Sequence, residues 1–438
     1  MIFEKDKEAK KLNETKNIFT RLKVIGDNFS VLKIRGIRIY MIGQLISLLG
    51  DWMQQTAQAW VVWQLTHKAT ALGIVAFLSQ IPFFIFGPWV GVVADRFDRR
   101  KILLITQILS MVFAFILAFL IQVNRLELWH VYVLSFLLGI ATAFNVTAEQ
   151  AFIADIAGKE NIKKAVALNN SLNQLTRLIG PALAGWLIAS AGMAPAFWIN
   201  GIGIIVSIVC IILIRSKQEI AENVLSGLEQ FKEGLIFLKN QHLLRLIILF
   251  GAIQTFFGMS VVQLLPAFST VVLKGDASTL GALIGSAGAG SLTGIIFILP
   301  FVQRIKRPCI SIGGSVIWAG LWYTIFSFMH NLHLAMLCQF MASLGASLVL
   351  TLSIGLAQEL TPVAMRARIV SAFMMIIFGL QPLAAYLVGR TADMIGINSM
   401  MFVNGLLLIC LPALLLAIPR LNKLRANIQV PVIRNHSV

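Results

Sequence analysis

Apolar runs of about 20 residues, each closed by a short polar break, recur along the chain, and they constrain the fold more than any single motif does. They fall near 39–65, 70–94, 102–123, 128–154, 165–190 and 194–214, then, after a longer polar break, near 243–273, 278–302, 310–329, 332–357, 367–391 and 396–419. Within each run the apolar residues are continuous rather than alternating. Helices satisfy their own backbone groups in lipid and are therefore the expected spanning form. The expected fold is an all-α integral membrane protein of twelve transmembrane helices in two six-helix halves. Composition agrees: 58% of the 438 residues are hydrophobic and 13% are charged, against about 25% charged in soluble domains. The expected organisation is a basic tail (1–38), a first half (39–214), a linker (215–242), a second half (243–419) and a closing tail (420–438).

Charge sets the orientation. Of 36 Lys and Arg residues, 31 fall on one side of the spans: ten in the first tail, then those in 95–101, 155–165, 215–245, 304–307, 366–368 and after 419. The opposite loops carry Lys68, Arg125, Lys274 and Arg390. By the positive-inside rule both termini are expected in the cytoplasm. The net charge of +17 therefore belongs to the membrane surface rather than to a nucleic-acid partner. In the linker, Leu225, Leu228, Phe231, Leu235 and Leu238 recur at helical spacing, which predicts an amphipathic helix on the cytoplasmic face. The four cysteines are scattered through apolar runs and read as packing residues, with no metal spacing among them. No cleavable signal peptide opens the chain, so the first span is expected to direct insertion.

Between the second and third runs stands Gly91-Val92-Val93-Ala94-Asp95-Arg96-Phe97-Asp98-Arg99-Arg100-Lys101. It resembles the loop of major facilitator superfamily transporters written G-x-x-x-D-R-x-x-R-R, with every fixed position filled. An internal repeat supports the same architecture. Thr70-Ala71-Leu72-Gly73 returns as Ser278-Thr279-Leu280-Gly281, and Pro181 finds a counterpart in Pro382. Two halves related in parallel are characteristic of this transporter class. The resemblance implies a gating role for Gly91, Asp95, Arg96, Arg99 and Arg100, with Asp95 meeting a helix amino terminus of the other half and Arg96 or Arg99 pairing with Asp155.

One cation lies on neither side: Arg177, near the middle of the fifth run. A charge at that depth costs about 2.5–3.5 kcal/mol or more, so it is expected to face a partner or a watery cavity. The first run carries Gln44, Ser47, Asp51, Gln55 and Gln58 at helical spacing. Asn170, Asn173 and Arg177 do the same on the fifth run, and Asn145 and Glu149 stand one turn apart on the fourth. These polar faces predict a lined central cavity. Asp51 and, second to it, Glu149 are the candidates for proton coupling, because a carboxylate inside a membrane protein can exchange a proton as its exposure changes. A structural ion pair with Arg177 is the rival reading for both acids. Arg177 either pairs with them or receives an anionic substrate, and the sequence leaves both open.

Gly180-Pro181-Ala182-Leu183-Ala184-Gly185 resembles in part the glycine–proline helix-kink motif of exporters that run as proton antiporters. Gly50-Asp51-Trp52-Met53-Gln54 and Trp60-Val61-Val62-Trp63-Gln64-Leu65-Thr66 resemble a narrower group, the bacterial exporters related to the enterobactin exporter and the macrolide efflux proteins. The resemblance implies proton-coupled efflux of a small amphipathic molecule, siderophore or drug-like, across a bacterial cytoplasmic membrane. No cofactor beyond the proton-motive force is expected, and nothing calls for more than a monomer. A proton-coupled importer and a non-transporting membrane receptor or assembly subunit are the alternatives. The chain holds no H-E-x-x-H, nucleophile elbow or phosphate-cradling loop, so an enzyme is not expected.

Overall fold

The computed structural model describes residues 30–158, 160–214, 236–237, 241–303, 305, 307–362 and 365–417. Every regular element among them is helical. A short 3-10 turn (Ser30–Lys33) leads into α1 (Arg35–Thr66), α2 (Ala69–Arg96), α3 (Arg99–Gln122), α4 (Leu128–Ala157), α5 (Ile162–Ala191) and α6 (Ala194–Leu213). There follow α7 (His242–Gln263), α8 (Leu265–Val271), α9 (Ala277–Val302), α10 (Pro308–Phe326), α11 (Leu332–Glu359), α12 (Arg366–Ile395) and α13 (Ile397–Ala417). Residues 1–29 of the first tail, the closing tail and nearly all of the linker, with its expected amphipathic helix, lie outside the described residues, and α1 begins inside the stretch expected as tail.

Ten of these helices are long and apolar enough to cross a membrane. Of the twelve expected spans, the two that fall short in apolarity are α1 and α5. They have 32 and 30 residues, so length is not what they lack; they are the helices that carry the longest polar stripes. π-helical turns interrupt α7 at Gln254–Met259 and α9 at Gly294–Ile298, and no feature of the sequence signals them.

Local chemistry fixes the helix ends. Asp98 accepts from the Arg100 amide at 2.9 Å and caps α3. Asp276 and Asn331 cap α9 and α11 in the same way. Gly192 and Gly396 end α5 and α12 at φ of 83° and 91°, a left-handed backbone that favours glycine.

Helices α1–α6 pack among themselves, with α1 on α5 and α6, α3 on α4 and α6, and α2 on α4. In the second group α11 packs on α9 and α10, and α13 on α10. Two seams join the groups, α2 against α12 and α5 against α9. Small residues let the backbones touch there, as packing in lipid requires. A Cβ on Gly185 would fall 2.6 Å from the Ala277 carbonyl oxygen, and one on Gly281 would fall 2.6 Å from that of Pro181. On the other seam a Cβ on Gly389 would fall 2.5 Å from the Ala69 carbonyl oxygen, and one on Gly73 would collide with that of Ala385.

These contacts revise the expected repeat. Gly73 and Gly281 play matching parts, as their sequence match suggested. Gly73, however, meets Ala385 where Gly281 meets Pro181. Gly185 with Gly389, and Gly192 with Gly396, keep the same separation of 204 residues. The counterpart of Pro181 is therefore Ala385, and Pro382 lies about one turn earlier. Close glycine contacts set the register here, and a proline inside a helix does not have to follow it.

Candidate substrate and proton site

The stripe on α1 divides among its neighbours. The Gln44 side chain donates to Glu149 Oε1 at 3.0 Å, and Gln58 donates to Ser135 Oγ at 2.7 Å, so both reach α4. Ser47 is buried, while Gln55 is exposed. Asp51 meets the Asn200 side chain of α6. Gly50 makes room for that contact: a Cβ there would fall 2.5 Å from Asn200 Oδ1. Asn200 is itself buried and donates to Gln54 Oε1 at 2.9 Å.

Three helices converge on Glu149. Besides Gln44 from α1, Asn169 of α5 donates to the same Oε1 at 2.8 Å. Among the described residues Oε2 has no hydrogen-bond partner. Both donors are neutral amides, and an amide N–H bonds a carboxylate oxygen or the carbonyl oxygen of a carboxylic acid alike. The site thus admits a proton on Glu149 without being dismantled.

Arg177 pairs with neither acid among the described residues. Its guanidinium carbon lies 5.4 Å from the ring centroid of Trp52, a cation–π arrangement. Gly180 helps to hold the indole there, since a Cβ on it would fall 2.6 Å from that of Trp52. Arg177 also lies within electrostatic reach of Tyr323, on α10 of the second group. The remaining stripe residues separate: Asn170 is exposed, Asn173 is half-buried, and Asn145 turns to α3, where it donates to Thr106 Oγ1 at 3.0 Å.

At the other end of the same helices, Arg99 Nη1 lies 2.6 Å from Asp155 Oδ1, one of the two pairings expected for that acid. This pair ties the start of α3 to the end of α4 within one group. Arg100 donates through Nε to the Ile211 carbonyl oxygen at 3.1 Å and through Nη2 to that of Ile212. A cation thus meets the carboxy-terminal end of α6, where the helix dipole favours one. Gly91, Asp95 and Arg96 lie on the last turns of α2, and their side-chain environment falls outside the described residues. Gly180, Pro181 and Gly185 bring α5 against α1 on one side and α9 on the other.

Gln54, Ser135, Asn169 and Asn200 are the site residues that spacing did not single out. Asn200 had a signal, since it is the lone amide in the apolar run of α6. Asn169 and Asn170 are adjacent, and periodicity alone does not say which of two neighbours faces inward.

The family described as transmembrane secretion effector matches residues 27–436. The macrolide efflux protein A of Streptococcus pyogenes is 24% identical over 389 residues, which cover 87% of this chain and 95% of the relative. The staphyloferrin A transporter of Staphylococcus aureus is 24% identical over 393 residues, 89% of this chain and 97% of the relative. In fold, a bacterial homologue of the human lysosomal transporter Spinster, solved inward-facing and occupied, aligns with a TM-score of 0.69 at 13% identity, covering 88% of this chain and 96% of that one. The apolar helices, the polar residues converging between them and the match along nearly the whole length lead to one conclusion. The chain belongs to the transmembrane secretion effector family of major facilitator transporters, multi-pass membrane proteins that are not enzymes.

Proposed function

We propose that this protein is a proton-coupled exporter of a small amphipathic molecule, siderophore-like or drug-like, and that it works by alternating access. In this reading twelve spans form two halves, α1–α6 and α7–α13, with α7 and α8 making up one span. Both termini face the cytoplasm of a bacterial cell, in keeping with the 31 Lys and Arg residues on that side. The observation that carries the reading is the pair of mid-membrane acids left without a cation. Asp51 meets Asn200, Glu149 meets Gln44 and Asn169, and neither is neutralised by Arg177. A structural ion pair would have tied the acids up; amide partners leave both free to gain and lose protons. Arg177, stacked on Trp52, remains available to an acidic group of the cargo. The proton-motive force drives the cycle, and no cofactor is required. The efflux relatives favour export over import.

The test uses inside-out vesicles with an acidified lumen and a fluorescent pH-gradient probe. Staphyloferrin A, a macrolide and a cationic dye are added one at a time. Proton release from the lumen with one compound, absent in Asp51→Asn, is the expected outcome. Export of a compound that proceeds equally with and without a proton gradient overturns the coupling, and accumulation in the opposite direction overturns export.

A further inference from the structure

One carboxylate crosses between the groups at the end of the bundle opposite the basic loops. Asp393, in the last turn of α12, accepts from the Ala69 amide through Oδ1 at 2.7 Å. Its Oδ2 accepts from the Thr70 amide at 2.8 Å and from the Thr70 hydroxyl. Both oxygens therefore serve the first turn of α2, where the residue before the helix, Lys68, supplies no side-chain cap. The amino terminus of a helix favours a negative charge, and its first amides have no partner within the helix.

The matching helix is built differently. The amino terminus of α9 is capped from within by Asp276, which accepts from the Ser278 amide at 3.0 Å and the Thr279 amide at 3.2 Å. On α5 the position matching Asp393, 204 residues earlier, is Ala189, which has no group to reach across. Of two pseudo-equivalent seams, one is held at this end by glycine packing. The other adds a charged, two-oxygen clasp between the groups. A cap made from its own segment stays made when the groups separate, whereas a cap made across the seam must break.

We infer that Asp393 and the first turn of α2 form a latch that holds this end of the transporter closed, and that its release is a step toward the state open at that end. The inference rests on the alternating-access reading above. It assigns Asp393 a positioning role in the cycle and no contact with the cargo.

The experiment places spin labels at Arg125→Cys and His330→Cys, on exposed turns of the two groups at this end, after replacement of Cys210, Cys309, Cys338 and Cys410 by Ala. Distances between the labels are measured in lipid nanodiscs, which need no knowledge of the cargo. In Asp393→Ala the ratio of long to short distances is expected to rise roughly fivefold, and in Thr70→Val by less. Asp276→Ala, which removes a cap that crosses nothing, is expected to leave the distribution as it was. A decisive variant adds Lys68→Asp to Asp393→Ala, giving α2 a cap of its own kind to match α9. Restored thermal stability with the long distances retained supports the latch. Restored short distances mean that Asp393 serves only to cap a helix, and an unchanged distribution in folded Asp393→Ala overturns the inference outright. Absence of transport with an intact latch response would count against the export reading alone.

Discussion

At the residue scale, Glu149 shows what the amide partners do. Replacing it with Gln keeps an acceptor oxygen at the position of Oε1, so the bonds from Gln44 and Asn169 at 3.0 and 2.8 Å have a partner to keep. Glu149→Gln is therefore expected to fold with thermal stability within about 1 kcal/mol of the parent, since a neutral hydrogen bond replaces one to a charged group at modest cost. It is expected to lose proton release in the vesicle assay. A variant that still releases protons at the parental rate would leave coupling to Asp51 alone. Both acids were legible in the sequence, because a carboxylate within an apolar run has few reasons to be there. The partners were less legible. Spacing along α1 grouped Gln44, Asp51 and Gln58 on one face, but α4 takes the two glutamines and α6 takes the acid. An arc of one helix meets several neighbours, and periodicity does not record where one neighbour ends and the next begins.

At the element scale, α3, α9 and α11 begin at side-chain caps, and the sequence placed most helix boundaries to within a few residues. Proline misled the repeat on α12, and glycine contacts corrected it. The π-helical turns in α7 and α9 left no trace in composition because they follow from packing; at Gly294, for example, a Cβ would fall 2.6 Å from Ser347 Oγ. A cap prediction belongs at this scale. The Ser278 hydroxyl, together with the amides of Thr279 and Ser278, holds the Asp276 carboxyl below the usual aspartate range despite its partial burial. Its pKa is lower in the folded chain than in the unfolded one. The stability it contributes is therefore present above about pH 3.9, the unfolded value, and is lost as the pH falls through the lowered folded value. Asp276→Ala is expected to cost about 1 kcal/mol near neutrality, read as a lower thermal midpoint in detergent. The gap to the parent should persist at pH 5 and narrow only below about pH 4. A gap that closed between pH 7 and pH 5 would mean that the cap depends on some other titrating group.

At the scale of the whole molecule, the all-helical character and the order of the apolar helices were legible because each is a property of the chain read locally. The two seams were not, since which helices of one group meet the other depends on close backbone contacts spread over distant segments. Those seams make alternating access testable without a cargo-specific structure. On α5 and α9, the Ala182 Cβ lies 3.6 Å from where a Cβ on Gly285 would stand, inside the usual Cβ–Cβ range of about 3.5–4.5 Å for a disulfide. Ala182→Cys with Gly285→Cys, on the same cysteine-free background, is therefore expected to cross-link under mild oxidation. If the groups must part along this seam to complete a cycle, the cross-link traps the protein in one state. Export should then fall to the background of empty vesicles and return on addition of a reductant, while each single cysteine variant stays active in both conditions. Full export by protein shown to be cross-linked would mean that the seam stays shut throughout. The cargo would then have to pass between other helices.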